Sequence, residues 1–338
     1  MIRFGITGTG RISDWILKGA LQDSRFRATA VCSRTEDAAM AFIHKHPEAF
    51  SPGTEIFTSV EEMSAKGNID AVYIGTPNAT HLPLSLTAIR NGKHVLCEKP
   101  MGMNEEQVRQ MASEARERGV VLMEAMISTL NPVFRKAVEK ISDIGAIRHY
   151  SSSFCQYSTK YDALKKGIVA NSFNPQMGGG ALPDIGIYTT YPLISLFGYP
   201  DRVNSSLLNI PSEFGDVNIH GNVSLLYGGM TADLAFSKAA DSFSPTEICG
   251  EKGNILIDKI HIARKASFIP HGAPSSGRGT DPHAEIIAEG LPKDEYFYEF
   301  EEFMNVIENG RCESAVNSLE ISILNARLMD TIIKESNI

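Results

Sequence analysis

Over the first 123 residues, short apolar runs alternate with amphipathic stretches of helical period. Ile2, Phe4 and Ile6 mark a strand over 1–7, and further apolar runs fall at 28–32, 71–74, 94–98 and 120–123. These runs are nearly continuous rather than alternating, the pattern of strands buried on both faces of a parallel sheet. Helical patterns fill the intervals at 12–20, 35–46, 59–66, 78–91 and 104–118. Strand-helix alternation of this kind predicts a doubly wound α/β sheet.

Near Glu124 the texture changes. A bridging helix is expected over 131–142 and an alternating strand over 146–157. Strand-like runs with Gly turns then follow at 203–210, 217–227, 230–236, 247–249, 255–257 and 260–268. Together they predict an α+β domain with a large, open, mainly antiparallel sheet, whose exposed face invites pairing with a second copy of the chain. Helices over 296–309 and 319–334 close the chain. The expected domains are 1–123, binding a nucleotide, and 124–338, binding substrate and carrying oligomerisation. The stretch 271–283, rich in Gly, Pro and Ser, reads as a mobile loop, and its two histidines do not make a metal site.

Composition narrows the classes. A chain of 338 residues is too long for most single cores, which agrees with two domains. A formal charge of −8 gives no global attraction to nucleic acid or an anionic membrane. Five cysteines stand far apart at 32, 97, 155, 249 and 312, so reduced thiols in a cytoplasm are expected. No apolar run reaches the length of a membrane span, and Met1 leads into a strand without a signal sequence.

Four segments carry candidate chemistry. Gly8-Thr9-Gly10-Arg11-Ile12-Ser13 follows the first strand and opens a helix, the context of a dinucleotide-binding turn. Its first glycine permits the tight turn, its second lets backbone approach a pyrophosphate, and the helix N-terminus supplies amide donors. The second strand ends in Ser33-Arg34 instead of the acid that selects a ribose 2′-hydroxyl. A hydroxyl and a guanidinium suit a 2′-phosphate, so NADP(H) is the expected cofactor, with NAD(H) as the alternative. Thr76-Pro77-Asn78 ends another strand at the same sheet edge; Asn78 or Thr80 is expected to cap the next helix. His81, in its first turn, either faces the nicotinamide or lies at the surface. Glu98-Lys99-Pro100 places an ammonium where a strand leaves the sheet, because Pro100 cannot continue the ladder. Cys97 beside it reads as a small apolar residue and not as a nucleophile.

In the second domain Gly178-Gly179-Gly180 precedes Pro183, which suits a first helical turn, and Asp184, which complements that turn's positive end. Asp184 and Tyr188 are four residues apart and share a helix face. Pro192 removes the helical partner of the Tyr188 carbonyl. Asn174, Tyr161 and Lys160 are weaker substrate-lining candidates.

Taken together, these segments resemble the glucose-fructose oxidoreductase/inositol dehydrogenase family, also called Gfo/Idh/MocA, over essentially the whole chain. The resemblance implies a Rossmann domain followed by an α/β domain with an open sheet, a catalytic Lys99 and a cis Lys99–Pro100 bond. Much of the family has histidine four residues after the motif's aspartate. Tyr188 stands there instead, which is similar to the dimeric dihydrodiol dehydrogenase and glucose-fructose oxidoreductase branches.

The expected reaction is reversible hydride transfer between the nicotinamide and a carbinol carbon of a sugar, polyol or dihydrodiol. Tyr188 is the expected acid/base. A free phenol titrates near 10, so it needs a cation close by, and Lys99 is the candidate. Glu98 is expected to orient Lys99 or the cofactor ribose, and Asp184 to accept a substrate hydroxyl. Two rival readings remain: an NAD-dependent glycosidase or lyase with transient redox, and a non-catalytic dinucleotide-binding regulator. The expected assembly is a homodimer or homotetramer through the second-domain sheet.

Overall fold

The computed structural model describes residues 1–271 and 284–336. The chain forms two compact units, and the division is not a single cut after residue 123. Met1–Ile127 and Lys293–Ala326 make the first unit; Ser128–Pro292 and the residues from Arg327 on make the second.

In the first unit the order is β1 (Ile2–Thr7), α1 (Arg11–Ala20), β2 (Phe26–Cys32), α2 (Glu36–Lys45), β3 (Glu55–Phe57), α3 (Val60–Lys66), β4 (Ala71–Ile74), α4 (His81–Arg90), β5 (His94–Glu98), α5 (Glu105–Arg118) and β6 (Leu122–Ala125). The strands form one parallel sheet in the order β3-β2-β1-β4-β5-β6. This is the expected doubly wound sheet. The order reverses between β1 and β4, the switch point where such sheets bind ligands beyond the carboxyl ends of the strands. The edge strand β3 had no legible signal, because three residues, none of them fully buried, are too few to show a period.

The helices stop where the sequence provides stops. Asn104 accepts the Gln107 amide at the start of α5, and Gly119 adopts a left-handed conformation, φ 66°, at its end. Ahead of α4, Thr80 does not make the expected side-chain cap. A 3₁₀ turn over Asn78–Thr80 leads into it, and the Thr80 hydroxyl donates to the Pro77 carbonyl at 2.7 Å.

Residues far along the chain return to the first unit because they carry an aromatic face. The sheet residues Phe4 and Phe26 pack against Phe300 at centroid distances of 5.5 and 5.4 Å, and Phe303 lies 5.9 Å from Phe4. All four are buried.

The second unit starts with α6 (Ile127–Leu130, beginning in the first unit), α7 (Pro132–Glu139), β7 (Ile147–Cys155), α8 (Tyr161–Leu164) and α9 (Ile187–Phe197). Strands follow at β8 (Arg202–Ile210), β9 (Val217–Tyr227), β10 (Met230–Ser237), β11 (Thr246–Gly250), β12 (Gly253–Ile257), β13 (Lys265–Pro270) and β14 (Glu285–Glu289). They form an eight-stranded sheet, β14-β13-β12-β11-β7-β10-β9-β8, antiparallel at every pairing except β10 with β7. The chain closes with α10 (Phe297–Glu308) and α11 (Leu319–Glu335).

Two expectations fail here. The strand expected over 260–268 begins only at Lys265, because the Asp258 carboxylate accepts the amides of Lys259, Arg264 and Lys265 and folds the chain into a turn. Strand β14 was not foreseen; four of its five residues are charged or only half-buried. Most of the loop expected over 271–283 lies outside the described residues. All five cysteines are free thiols, and Cys97 is fully buried, as a small apolar residue would be.

Gly19 in α1 has the least room for a Cβ of the glycines in the first unit. A Cβ there would stand 2.4 Å from the Phe297 nitrogen and 2.4 Å from the Tyr296 carbonyl carbon, backbone atoms with little freedom to move. Alanine's higher helix propensity, about 1 kcal/mol, is smaller than the overpacking cost of roughly 1–3 kcal/mol. Gly19→Ala should therefore lower the urea midpoint, and an unchanged or raised midpoint would contradict this packing.

Candidate functional site

In the first unit the candidate residues gather at the carboxyl ends of β1, β2, β4 and β5. Gly8 has φ 93°, and a Cβ on it would lie 2.5 Å from the Gly75 carbonyl, so β1 and β4 can approach here only through glycine. The buried Ser13 hydroxyl donates to the Gly8 carbonyl at 2.7 Å and ties the turn to the helix it opens. Gly10 caps α1 without a side-chain bond, and the space a Cβ would occupy there is open to 4 Å. Uncapped amides and an unobstructed approach are what a pyrophosphate requires, so these residues fit a dinucleotide.

Thr9 and Ser33 hydroxyls stand 3.4 Å apart, and Arg34 is exposed beside them. Arg11 is exposed with its guanidinium 5.9 Å above the Trp15 ring, while Ile12 is half-buried. Thr76 and Thr80 share a 2.7 Å hydroxyl contact.

His81 neither faces a nicotinamide nor lies at the surface. It is fully buried, with Nδ1 2.8 Å from the Pro100 carbonyl and Nε2 2.9 Å from the Thr76 carbonyl. Burial lowers its pKa, and the Lys99 charge adds to the effect against the pull of the two carbonyls. A neutral ring donates to one of them, so His81 braces the end of β4 against the turn after β5. Its place in an apolar helix face was the signal that favoured a core role.

Lys99 is half-buried, and its bond to Pro100 is cis. Behind it lies a set of acids. Glu98 is buried, and its Oε1 accepts the Tyr73 hydroxyl at 2.8 Å. Burial raises its pKa, with the Lys99 charge and the Tyr73 hydrogen bond opposing. Glu124, also buried, accepts the Met101 amide at 2.9 Å. Glu299 is buried with no hydrogen-bond partner among the described residues on either carboxyl oxygen, and burial, then the Glu98 charge, drive its pKa well up. Lys99 is thus the cation facing three buried carboxyls, only one of them its sequence neighbour. Glu124 and Glu299 escaped the sequence reading. An acid ending the apolar run Val121-Leu122-Met123 was a usable signal for Glu124; Glu299 had none.

The second unit presents the other constellation. Gly179 packs where a Cβ would lie 2.5 Å from the Asn171 carbonyl, and Gly180 (φ 139°) donates to the Ser172 carbonyl at 3.1 Å. The Asn218 side chain accepts the Leu182 amide at 3.0 Å. Leu182–Gly186, with Pro183 in its first turn as expected, is a π-helical turn rather than the start of an α-helix. The α-helical spacing argument for Asp184 and Tyr188 therefore does not hold across it. Pro192 lies inside α9, where Ser195 Oγ donates to its carbonyl.

Asp184 pairs with Lys238 at 2.5 Å, a buried lysine that the sequence reading did not single out. Tyr188 is half-buried; its ring meets Phe154 edge-on at 5.5 Å, and Phe154 in turn stacks on His261 at 4.0 Å. Burial pushes the His261 imidazole down to about 4, so this ring packs as a neutral aromatic. Asn174 is buried, and its side-chain carbonyl takes the Gln176 amide, shaping the loop. Tyr161 meets Tyr157 edge-on at 5.5 Å, and Lys160 is exposed.

Comparison with known proteins agrees with the fold of both units. Residues 2–126 match the model of the Gfo/Idh/MocA oxidoreductase family, NAD-binding Rossmann fold, and residues 134–256 match the C-terminal domain of the same family. The chain is 40% identical to scyllo-inositol 2-dehydrogenase (NADP(+)) of Bacillus subtilis, over 100% of this chain and 98% of that protein. It is 29% identical to trans-1,2-dihydrobenzene-1,2-diol dehydrogenase of Xenopus laevis, covering 98% and 97% respectively. Among solved structures, a 3-ketoreductase from Actinomadura kijaniata in complex with TDP-benzene and NADP superposes with a TM-score of 0.80. It is 25% identical, and 99% of this chain and 97% of that one are covered.

The buried acids make stability depend on pH. Burial pushes the Glu124 carboxyl up to about 7. Between the ordinary glutamate value and 7, the folded protein keeps a proton that the unfolded chain has lost. Stability from this group therefore falls as pH rises through that window and levels off above it. Glu124→Gln should flatten the dependence of the urea midpoint on pH between about 5 and 7, and a slope equal to wild type would exclude the assignment.

Proposed function

The chain belongs to the Gfo/Idh/MocA oxidoreductase family, and we propose that it interconverts a carbinol and a carbonyl carbon of a sugar or polyol with NADP(H), using Tyr188 as acid/base and Lys99 as its cationic partner. The observation that carries the reading is Lys99: a half-buried amine at the carboxyl end of β5, backed by buried Glu98. The whole-length likeness to an NADP(+)-linked scyllo-inositol dehydrogenase favours an inositol or a related ring polyol among the candidates.

Gly8, Thr9, Gly10, Arg11 and Ile12 would hold the pyrophosphate through backbone amides, Ser33 and Arg34 the 2′-phosphate, and Thr76, Pro77 and Asn78 the edge of the nicotinamide ribose. A bound nicotinamide supplies the acceptor for the hydride that leaves the carbinol carbon. The chain's own residues manage the proton. As the carbon is oxidised, the substrate hydroxyl loses its proton to the Tyr188 oxygen; in reduction the Tyr188 hydroxyl returns one to the new alkoxide. The Lys99 ammonium favours the phenolate and hydrogen-bonds the substrate oxygen. Glu98, fixed by Tyr73, aims Lys99. Asp184 and Asn174 contact the remaining hydroxyls.

The open face of the second unit's sheet, lined by Ser151, Ser153, Asn204, Asn222, Ser224 and Asp233, is the surface proposed to pair with a second copy. Light scattering on the purified protein reads the assembly directly.

The defining experiment screens NADP+ and NAD+ at 340 nm against scyllo-inositol and other inositols, aldoses, dihydrodiols and their carbonyl counterparts. Net absorbance change is expected with at least one polyol, and product formation without net change would favour transient redox chemistry instead. Lys99→Met and Tyr188→Phe should each keep NADPH binding and lose at least about 100-fold in kcat. Near-normal kcat in either variant removes that residue from its role. Arg34→Ala should weaken NADP+ about tenfold while sparing NAD+; equal loss for both would deny the 2′-phosphate contact.

A further inference from the structure

We propose that Lys238 is a positioning residue for substrate recognition, clamping the Asp184 carboxylate to the Ser172 backbone so that Asp184 accepts a polyol hydroxyl. The proposal rests on the functional reading above and adds to it a residue that no sequence motif indicated. Lys238 follows Ser237 at the end of β10. Its side chain is 4% exposed, against 36% for Asp184. The ammonium lies 2.5 Å from Asp184 Oδ2, 2.6 Å from the Ser172 carbonyl and 4.0 Å from the centroid of the Phe173 ring.

A buried ammonium persists only where charge and hydrogen bonds replace water, and here a carboxylate, a carbonyl and an aromatic face do so. If stability alone were at stake, an apolar side chain of similar volume would serve as well. The geometry has a further consequence. The Ser172 carbonyl that receives Lys238 also receives the Gly180 amide at 3.1 Å. One node therefore joins the end of β10, the turn over Asn171–Phe173 and the glycine run that leads into the π-turn bearing Asp184. In this pair the cation is sequestered and the acid is the member in contact with solvent. A solvent-facing carboxylate held at a fixed angle is an acceptor for hydroxyl hydrogens, the groups a polyol presents at every carbon. Its rotamer is set before substrate arrives, which lowers the ordering cost of binding.

The test uses the full-length protein with scyllo-inositol and NADP+ as probes, comparing wild type, Lys238→Met, Lys238→Arg, Asp184→Asn and the Asp184→Asn/Lys238→Met double variant. Lys238→Met should raise KM for scyllo-inositol about tenfold, with a smaller change in kcat and a Kd for NADPH within about twofold of wild type. Lys238→Arg should recover most of that loss. The double variant should be no worse than Asp184→Asn alone, because Lys238 acts through that carboxylate. Should Lys238→Met fail to fold, the charge-neutral double variant and Lys238→Arg decide the matter by the same comparison. An active wild type whose KM is untouched by Lys238→Met, or a double variant showing the product of the two single losses, overturns the inference and leaves the functional reading intact. A wild type inert on scyllo-inositol and the rest of the polyol panel overturns both.

Discussion

Burying Glu98 beneath Lys99 is the constraint on which the chemistry proposed for the first unit depends. The carboxyl sits at the end of a strand whose middle residues Val95, Leu96 and Cys97 are apolar and buried, and its Oε1 is held by the hydroxyl of Tyr73 from the neighbouring strand. Ionised acids are rarely left so dry unless a cation stands next to them. Lys99, the following residue, is that cation, and it remains half-exposed at the end of the sheet. An amine supported from below and open above can act on whatever occupies the crevice outside the strands. Glu124 and Glu299 lie in the same buried set behind Lys99, and burial raises the pKa of both toward the neutral acid. The aromatic face of α10 closes the sheet beneath this group, which is why a segment far along the chain from β6 is part of the nucleotide-binding unit.

The second unit uses the same kind of pair with its members exchanged. There the lysine is buried and the acid faces outward: Lys238 anchors, and Asp184 presents. In the first unit the exposed member is a cation suited to an oxygen that gains negative charge. In the second it is an anion suited to hydroxyl donors. Both arrangements hold the more exposed side chain in one orientation by burying its counter-charge, so the polar head would lose little freedom on meeting a ligand. The family to which the chain belongs is one of oxidoreductases, and its full-length relatives include a named dehydrogenase.

Local signals fixed a good deal. The doubly wound sheet followed from strand-helix alternation, and the dinucleotide turn from Gly8 and Gly10 in their strand-to-helix context. The position of Lys99 at the end of β5 followed from Pro100, which cannot extend a ladder. Each depends on backbone stereochemistry within a few residues, so a linear sequence states it directly. The expectation for His81 failed for the converse reason. Whether a helical histidine meets solvent or two carbonyls depends on the turn after β5, nineteen residues later. The strand expected over 260–268 failed because one carboxylate, Asp258, captures three amides, and an apolar pattern contains nothing of that competition.

Sequence alone thus determined the class of fold, the nucleotide-binding turn and the residue types available for acid-base work, because these follow from hydrophobic period and local backbone limits. Only the tertiary structure decided which charges are dry. It sealed Glu98, Glu124 and Glu299 behind Lys99, turned His81 into a brace, wound a π-turn under Asp184 and brought Lys238 to it across 54 residues. The physical reason is that the energy of a charge depends on the water it has lost. That loss is set by neighbours contributed from distant parts of the chain.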